Sequence, residues 1–263
     1  MMAPLLIGSA AGLSIAGSCI GYATVHPRCQ WFGPIRHAGD AYGSPRVALT
    51  FDDGPTPGQT ERVIDILADF GVPATFFCIG QNVQANPDLL CNLHEAGHQI
   101  ANHTYDHPRS GCFRGRSYWT KQIRRTNDII MRTLGKEPRF FRPPMGLKTP
   151  HVLLAASSQR MTTVTWSHRG LDTWSQSAPR ITQRLTRGLT TGSVLVLHDG
   201  SEPGRRRDIR PTLDALSTVI EQVRGQGYVF CRLGELLSVE AYASSSTEGS
   251  TTPSRRCSAP KQA

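Results

Sequence analysis

His103 and His107 lie four positions apart in the segment that follows the short predicted strand Gln99–Asn102. If this segment makes one helical turn, both imidazoles share a face and can offer two nitrogens to one metal ion. Catalytic zinc sites commonly take three protein ligands and keep a fourth position for water. The pair therefore indicates a candidate metal site, although without a third ligand the spacing alone leaves metal binding open.

Three more groups that can do chemistry follow apolar runs. Asp52 and Asp53 come directly after Val47–Phe51, Arg142 follows two phenylalanines, and His198 ends the run before Asp199. Each has an ordinary alternative: an Asp-rich turn, a surface arginine before a proline-made bend, or a structural histidine. Such groups at four separate strand ends are nevertheless hard to assign to chance, because the strand ends of a parallel barrel form one rim.

The elements that must position these groups are short apolar runs alternating with helical patterns. Seven runs are predicted to be strands: Val47–Phe51, Ala74–Ile79, Gln99–Asn102, Phe140–Phe141, Met161–Trp166, Ser193–Leu197 and Val229–Cys231. A later helix is predicted to carry Leu89, Leu90, Leu93 and Ala96. Further helices are predicted over residues 117–134, 148–157, 179–189 and 211–226. This alternation predicts βαβ units and a parallel sheet, and a seven- or eight-fold unit can close into a barrel.

The first helix has its own predicted start signal. Thr56 is predicted as its N-cap, with Pro57 at the first position and Gln59 completing a capping box. Gly71 is predicted to end the helix.

The motifs together resemble a known family. TFDDGP at Thr50–Pro55, HTYDH at His103–His107, RPP at Arg142–Pro144 and LVLH at Leu195–His198 are similar to the motifs of polysaccharide deacetylases with the NodB homology domain, carbohydrate esterase family 4. The resemblance covers about residues 45–238 in the right order. It implies an α/β fold, a deformed (β/α)7-8 barrel in a single domain.

The resemblance also implies roles for the polar residues. One divalent metal, with zinc as the first choice, is expected on the ligands Asp53, His103 and His107. Asp52 is then the general base, oriented by Arg142, and His198 is the general acid, supported by Asp172.

Substrate contacts are implied as well. Leu195 and Leu197 are expected to line an acetyl pocket, and the backbone N–H of Met145, after Pro144, is expected to help hold the oxyanion. The family usually has Tyr where Met145 stands, which removes a substrate-facing ring.

The fourth motif of the family departs further. It usually ends in Asp-Trp, whereas here Thr173 follows Asp172, so Trp174 is only a candidate for the substrate groove. An Asp often found earlier in that motif is replaced around Arg169. These departures concern substrate preference more than chemistry.

The implied function is removal of N-acetyl groups from N-acetylglucosamine units of a polysaccharide, of the chitin oligosaccharide or peptidoglycan type. The partner is an acetylated amino-sugar oligomer or polymer. An O-acetyl esterase acting on acetylated xylan and a non-catalytic glycan-binding envelope protein are the alternatives. No Ser nucleophile motif of the G-x-S-x-G type is present.

Composition limits the remaining possibilities. The 263 residues carry 38% hydrophobic and 19% charged side chains, which excludes a wholly disordered chain. The net charge of +9 suits an acidic polymer or anionic lipid, but no motif indicates a nucleic-acid partner. The triplet Arg205–Arg207 is predicted to be a solvated loop.

The ends of the chain differ from its middle. Residues 3–25 carry no charged side chain and predict a membrane anchor or signal within residues 1–25, of open orientation, with a small-residue arm as the alternative. Residues 26–44 are predicted to be a linker, 45–238 the deacetylase domain and 239–263 a disordered tail. A cell-envelope or secreted location is expected, and the oligomeric state stays open.

Overall fold

The computed structural model describes residues 17–40, 43–174 and 177–243. Its strands are β1 (Arg46–Asp52), β2 (Thr75–Cys78), β3 (Gln99–Asn102), β4 (Phe140–Phe141), β5 (Thr162–Thr163), β6 (His168–Arg169), β7 (Val194–His198) and β8 (Val229–Phe230). Its helices are α1 (Thr60–Asp69), α2 (Gly80–Ala85), α3 (Pro87–Glu95), α4 (Arg116–Leu134), α5 (Pro150–Ser158), α6 (Ala178–Thr186), α7 (Arg210–Gly225) and α8 (Leu233–Leu237). Residues 17–25 are also helical.

The strands form one curled parallel sheet in the order β5-β4-β3-β2-β1-β7-β6, with β8 beside the first residues of β1. Every strand pairing in it is parallel. Among the described strands, β5 and β6 are not paired with each other, so the barrel is open there. The predicted deformed (β/α) barrel in a single domain is thereby confirmed.

The two faces of the sheet bury different side chains. On β1, Leu49 and Phe51 pack outward with the helices, whereas Ala48 joins Phe77 in a cluster inside the barrel. Side chains on a strand alternate between faces, so Asp52, four residues after Ala48, points inward as Ala48 does. The inward face therefore carries the polar groups to the carboxyl ends of the strands.

Most predicted elements are present, and two predictions need correction. All seven predicted strands occur, but Met161–Trp166 is ordered as a strand only at Thr162–Thr163, and β6 was not predicted. Helix α1 begins at Thr60, four residues after the predicted cap, and no side chain caps it. The Thr56 hydroxyl instead accepts a hydrogen bond from the backbone N–H of Ser201 at 3.1 Å. A tertiary contact to the loop after β7 thus replaces the predicted local cap.

The segments predicted as linker and tail are partly packed onto the barrel. The Arg36 N–H donates to the Thr163 carbonyl at the open edge of β5, and Ile35 is buried. At the other end, the Tyr242 hydroxyl accepts from the Ile100 N–H, and Ala243 donates to Glu137. The remainder of the predicted tail, 244–263, lies outside the described residues.

Residues 1–16, most of the predicted anchor, also lie outside the described residues. Within the described part of the chain, no helix has the length and apolar character needed to span a bilayer.

Candidate active site

A cavity of about 710 Å³ opens at the carboxyl ends of the strands. It is lined by polar side chains at the ends of β1, β3, β6 and β7 and by the loops that follow β3, β4, β5, β6 and β7. Its lining residues are Asp52, Asp53, His103, His107, Arg109, Met145, Trp166, Arg169, Thr173, Trp174, Val196, His198, Glu202, Arg205, Arg206 and Arg207.

The adjacent acids Asp52 and Asp53 both reach this cavity because the backbone turns between them. Neighbouring residues on a strand point to opposite faces, but Asp53 has a left-handed φ of 76°, which ends the strand. Gly54 follows at a close approach, since a Cβ there would lie 2.0 Å from Asp199 Oδ2. The two acids are 3% and 2% exposed, so both are buried carboxylates at the floor of the cavity.

His103 and His107 converge without the predicted helical turn. The segment between them is a loop in which Thr104 and His107 have left-handed φ values of 68° and 53°. Side chains hold this loop: Asn102 Oδ1 accepts from the Thr104 N–H, and Gln122 of α4 accepts from the Tyr105 N–H. The two rings lie 5.0 Å apart between centroids. Loop contacts, rather than helical periodicity, therefore bring the imidazoles together.

Asp53, His103 and His107 offer one ligand atom each within 4.8 Å of one another. The Nε2 atoms of both histidines lie 3.5 Å from Asp53 Oδ1, which has no hydrogen-bond donor among the described residues. His103 Nδ1 lies 2.8 Å from the Arg142 carbonyl, which leaves its Nε2 toward the carboxylate. A buried carboxylate oxygen without a donor between two imidazoles fits a divalent metal such as zinc.

The protonation states of His107 and Asp53 agree with a ligand set. Burial lowers the pKa of His107 to about 4, so its ring is neutral at neutral pH. Burial raises the pKa of Asp53, but the imidazoles of His103, His107 and His198 outweigh it and hold that pKa well below its usual range. Neutral imidazole and ionised carboxylate are the forms that bind metals.

Arg142 lies inside the barrel and is fully buried. Its Nη1 donates to Asp52 Oδ1 at 2.6 Å and to Thr50 Oγ1 at 2.9 Å, and its Nη2 donates to the Thr165 carbonyl. The guanidinium lies 3.9 Å from the centroid of the Phe77 ring. Only one guanidinium nitrogen reaches the carboxylate, and the arginine links Asp52 to Thr50 of the same strand and to the segment after β5.

His198 and Asp172 form a second buried pair. The Nδ1 of His198 lies 2.9 Å from Asp172 Oδ1, and the His198 N–H donates to Oδ2 of the same carboxylate at 2.8 Å. The Thr212 hydroxyl also donates to that oxygen. Burial lowers the pKa of His198, but the Asp172 carboxylate outweighs it, and the net shift is upward. The pair therefore favours an imidazolium at the cavity wall.

Pairing of β1 with β7 sets the relation between the two acid–base groups. Asp52 and His198 are register partners, as are Thr50 and Val196. Asp199, next along the chain, turns away to accept a 2.6 Å hydrogen bond from Thr60, and burial raises its pKa to about 7. His198 thus faces the cavity beside Asp52, while Asp199 supports the turn behind it.

The expectation that Leu195 and Leu197 line an acetyl pocket is wrong. Both side chains belong to the cluster between the sheet and the outer helices, and neither borders the cavity. Because residues alternate along β7, the side chain on the same face as His198 is Val196, which does line the cavity.

The aromatic and apolar residues around the cavity occupy different depths. Trp166 is 7% exposed and both packs in the inner cluster and borders the cavity, while Trp174 is 68% exposed at the rim. Met145 also lines the rim, whereas Pro144 is buried behind it. Tyr105 does not border the cavity, since its ring packs under the Arg125 guanidinium at 3.5 Å. Tyr105 is therefore not placed to stack on a sugar ring in the cavity.

The arginine triplet predicted as a solvated loop also reaches the site. Arg207 Nη1 donates to Asp53 Oδ2 at 2.7 Å. Glu202 of the same loop accepts two hydrogen bonds of 2.8 Å from Arg109, and its Oε1 lies 3.6 Å from His107 Nδ1. The separation of 154 residues between Arg207 and Asp53 carries no local sequence signal. The run of arginines after His198 is the local feature that could have drawn attention to this loop, although it was predicted to be solvated.

Comparisons with known proteins identify the family of the chain. A family model described as polysaccharide deacetylase matches residues 39–164. A peptidoglycan-N-acetylglucosamine deacetylase of Bacillus cereus is 36% identical over 73% of this chain and 68% of its own length. A chitooligosaccharide deacetylase of Bradyrhizobium sp. is 32% identical over 78% of this chain and 96% of its own. A crystal structure of a peptidoglycan N-acetylglucosamine deacetylase superposes with a TM-score of 0.73 at 33% identity, covering 79% of this chain and 94% of that one.

Proposed function

The chain belongs to the polysaccharide deacetylase family, and from this we propose that it is a metal-dependent hydrolase that removes N-acetyl groups from N-acetylglucosamine units of a polysaccharide. One observation carries the proposal. Asp52 and His198 face the same cavity as the Asp53, His103 and His107 cluster, and each is held from behind by a buried charged partner, Arg142 or Asp172. The named substrates of its relatives, peptidoglycan and chitooligosaccharides, both contain this sugar.

Asp53, His103 and His107 are proposed to hold the metal, with zinc as the first choice for two imidazoles and one carboxylate. A bound divalent ion polarises a carbonyl oxygen and acidifies a water molecule. Arg207 donates to Asp53 Oδ2 and so keeps the other oxygen directed at the histidines. The arginine is thus proposed to orient a metal ligand from behind.

Asp52 is proposed as the general base that takes a proton from the attacking water. Its Oδ1 is bound by Arg142, so Oδ2 remains for that proton. The guanidinium fixes the direction of the Asp52 carboxylate through its short hydrogen bond to Oδ1. This arrangement needs no covalent intermediate.

His198 is proposed as the general acid. An amine leaves poorly without a proton, and an imidazolium can supply it. Asp172 engages Nδ1, which leaves Nε2 for the cavity, and holds the proton on the ring. The role of general acid follows from the direction of the His198 ring and from its raised pKa.

The acetyl group needs an apolar pocket and a donor for its oxygen. Val196 and Trp166 are the apolar side chains at depth in the cavity, and we assign the acetyl methyl to them. The Met145 N–H, in the left-handed turn after Pro144, is proposed as the oxyanion donor. Trp174 at the rim is proposed to stack on a sugar ring.

The test is acetate release under matched metal loading from N-acetylglucosamine oligomers, peptidoglycan and acetylated xylan. The proposal expects release from the N-acetylated substrates, loss on chelation and recovery when zinc is returned. A clear preference for acetylated xylan would instead assign the site to O-acetyl esters. Glycan binding without any acetate release from metal-loaded protein would indicate a non-catalytic role.

A polymeric envelope substrate also sets the proposed location. We propose a cell-envelope or secreted protein directed by residues 1–25. A topology reporter fused after residue 45 should be active outside the cytoplasm, and activity only inside would contradict that orientation.

A further inference from the structure

Arginine is the dominant charged residue around the cavity. Among the lining residues there are five arginines against three carboxylates, and the arginines are Arg109, Arg169, Arg205, Arg206 and Arg207. They come from three places: the loop after His107, strand β6 and the loop after β7. The excess of positive charge is therefore spread around the opening rather than confined to one segment.

The three carboxylates are already paired. Asp52 is bound by Arg142 from inside the barrel, at 2.6 Å. Asp53 is bound by Arg207 at 2.7 Å. Glu202 is bound by Arg109 through two hydrogen bonds. Each acid thus has its own guanidinium before the remaining arginines are counted.

Three arginines, Arg169, Arg205 and Arg206, are left in excess; we call them the rim arginines. Arg205 lies 3.5 Å from the Glu202 carboxylate that Arg109 already holds, and its side chain is 60% exposed. Arg206 is exposed and has no ion pair with any described residue. A metal in the adjacent site would add positive charge, so it cannot balance them.

Arg169 is the most informative of the three. It lies on β6 as the register partner of Val196, two residues before His198 on the neighbouring strand. Its guanidinium lies 5.3 Å from the Trp166 ring and borders the cavity, half-buried, without an ion pair among the described residues. Withdrawing a guanidinium from water costs free energy that a partner must offset.

We propose that the rim arginines bind an oxyanion, a carboxylate or phosphate substituent, on the glycan whose acetyl group is removed. The inference rests on the proposed function and narrows its substrate to an acidic acetylated amino-sugar chain. Guanidinium groups present planar, charged donors that match both carboxylate and phosphate. Arg169 would bind on the Trp166 side of the opening, and Arg205 and Arg206 on the side of the loop after β7.

The experiment compares three polymers of matched length and acetylation: neutral glycol chitin, carboxymethyl chitin and phosphorylated chitin. The readout is the ratio of kcat/KM on each anionic polymer to kcat/KM on the neutral one, with the zinc-loaded full chain. We expect a ratio of about ten at low salt, falling toward one as salt screens the exposed charges. The larger of the two ratios distinguishes carboxylate from phosphate as the group recognised.

Variants locate the effect. Arg206→Gln should lower the ratio about threefold, as expected for an exposed ion pair. Arg169→Gln should lower it about tenfold, because this guanidinium is partly withdrawn from water, and Arg169→Lys should retain part of the preference. Arg124→Gln is the matched control, since Arg124 is exposed on α4 away from the cavity, and it should leave the ratio unchanged.

A ratio of one or below, or a ratio that Arg124→Gln lowers as much as the rim variants do, would overturn the inference while leaving the deacetylase proposal intact. Absence of acetate release from all three polymers would contradict the proposed function instead. In that case calorimetric binding of the same polymers is the readout. Tighter binding of the anionic polymers, lost in Arg169→Gln, would still support an oxyanion subsite.

Discussion

The floor and the rim of the cavity are built differently. At the floor, Asp52, Arg142, Asp172 and His198 are buried, and each is bound by a charged partner. At the rim, Trp174 and Arg205 are 68% and 60% exposed and lie on loops. Buried charges must be paired or they destabilise the fold, so the floor has little freedom to vary. Exposed loop residues carry no such constraint, and the rim is where substrate preference can change without loss of the chemistry.

The largest effect should come from breaking the ligand cluster at the floor. His103→Ala removes one of three ligand atoms, so stoichiometric zinc and activity should be lost together. Metal analysis of purified protein and acetate release on the same sample check this. His151→Ala, an exposed histidine on α5, is the matched control. Full activity of the His103 variant after rigorous chelation would contradict a metal at this place.

Removing the base while keeping the metal should have the next largest effect. Asp52→Asn retains the shape of the side chain but cannot take a proton, so kcat should fall by about 10²–10⁴. Zinc content should stay near one per chain, because Asp53, His103 and His107 are untouched. Near-normal turnover by this variant would show that the base lies elsewhere.

A smaller effect, with its own pH signature, is expected at the other buried pair. The Asp172 carboxylate holds the pKa of His198 above its usual range, so the acid stays protonated to higher pH. Asp172→Asn removes that charge and leaves burial, which lowers the pKa. We expect the alkaline limb of the kcat profile to move to lower pH and the maximal rate to fall about 10²-fold.

Thr212→Val is a milder companion variant. It removes one hydrogen bond to the same carboxylate but keeps its charge. The alkaline limb of the pH profile of kcat should therefore move less than in Asp172→Asn. An unchanged alkaline limb in Asp172→Asn would exclude His198 as the group that sets it.

The smallest effect is expected at the rim. Trp174→Ala should raise KM about two- to tenfold with kcat little changed, since a stacking contact contributes about 0.5–1.5 kcal/mol. Steady-state kinetics on N-acetylglucosamine oligomers of increasing length check this, and the effect should grow with length. A large fall in kcat would show that Trp174 acts with the floor residues, and it would contradict the division between floor and rim.

Local pattern predicted the barrel because each element buries one face, and burial leaves a period in the sequence. Strands such as Gln99–Asn102 and Phe140–Phe141 occur at their predicted bounds. β6 was missed because His168 and Arg169 are polar and the strand is only two residues long. The start of α1 was misplaced because the Thr56 hydroxyl binds Ser201, 145 residues away, instead of capping its own helix.

The sequence by itself determined the family, the strand–helix alternation and the groups gathered at the strand ends, because these depend on residue type and local order. Period-two alternation along β7 also selects Val196 over Leu195 and Leu197, although the motif resemblance had favoured the leucines. Only the tertiary structure decided which loops meet over the cavity. The Arg207–Asp53 pair and the position of Arg169 depend on loop paths that join residues far apart in the chain, and such paths leave no periodic signal.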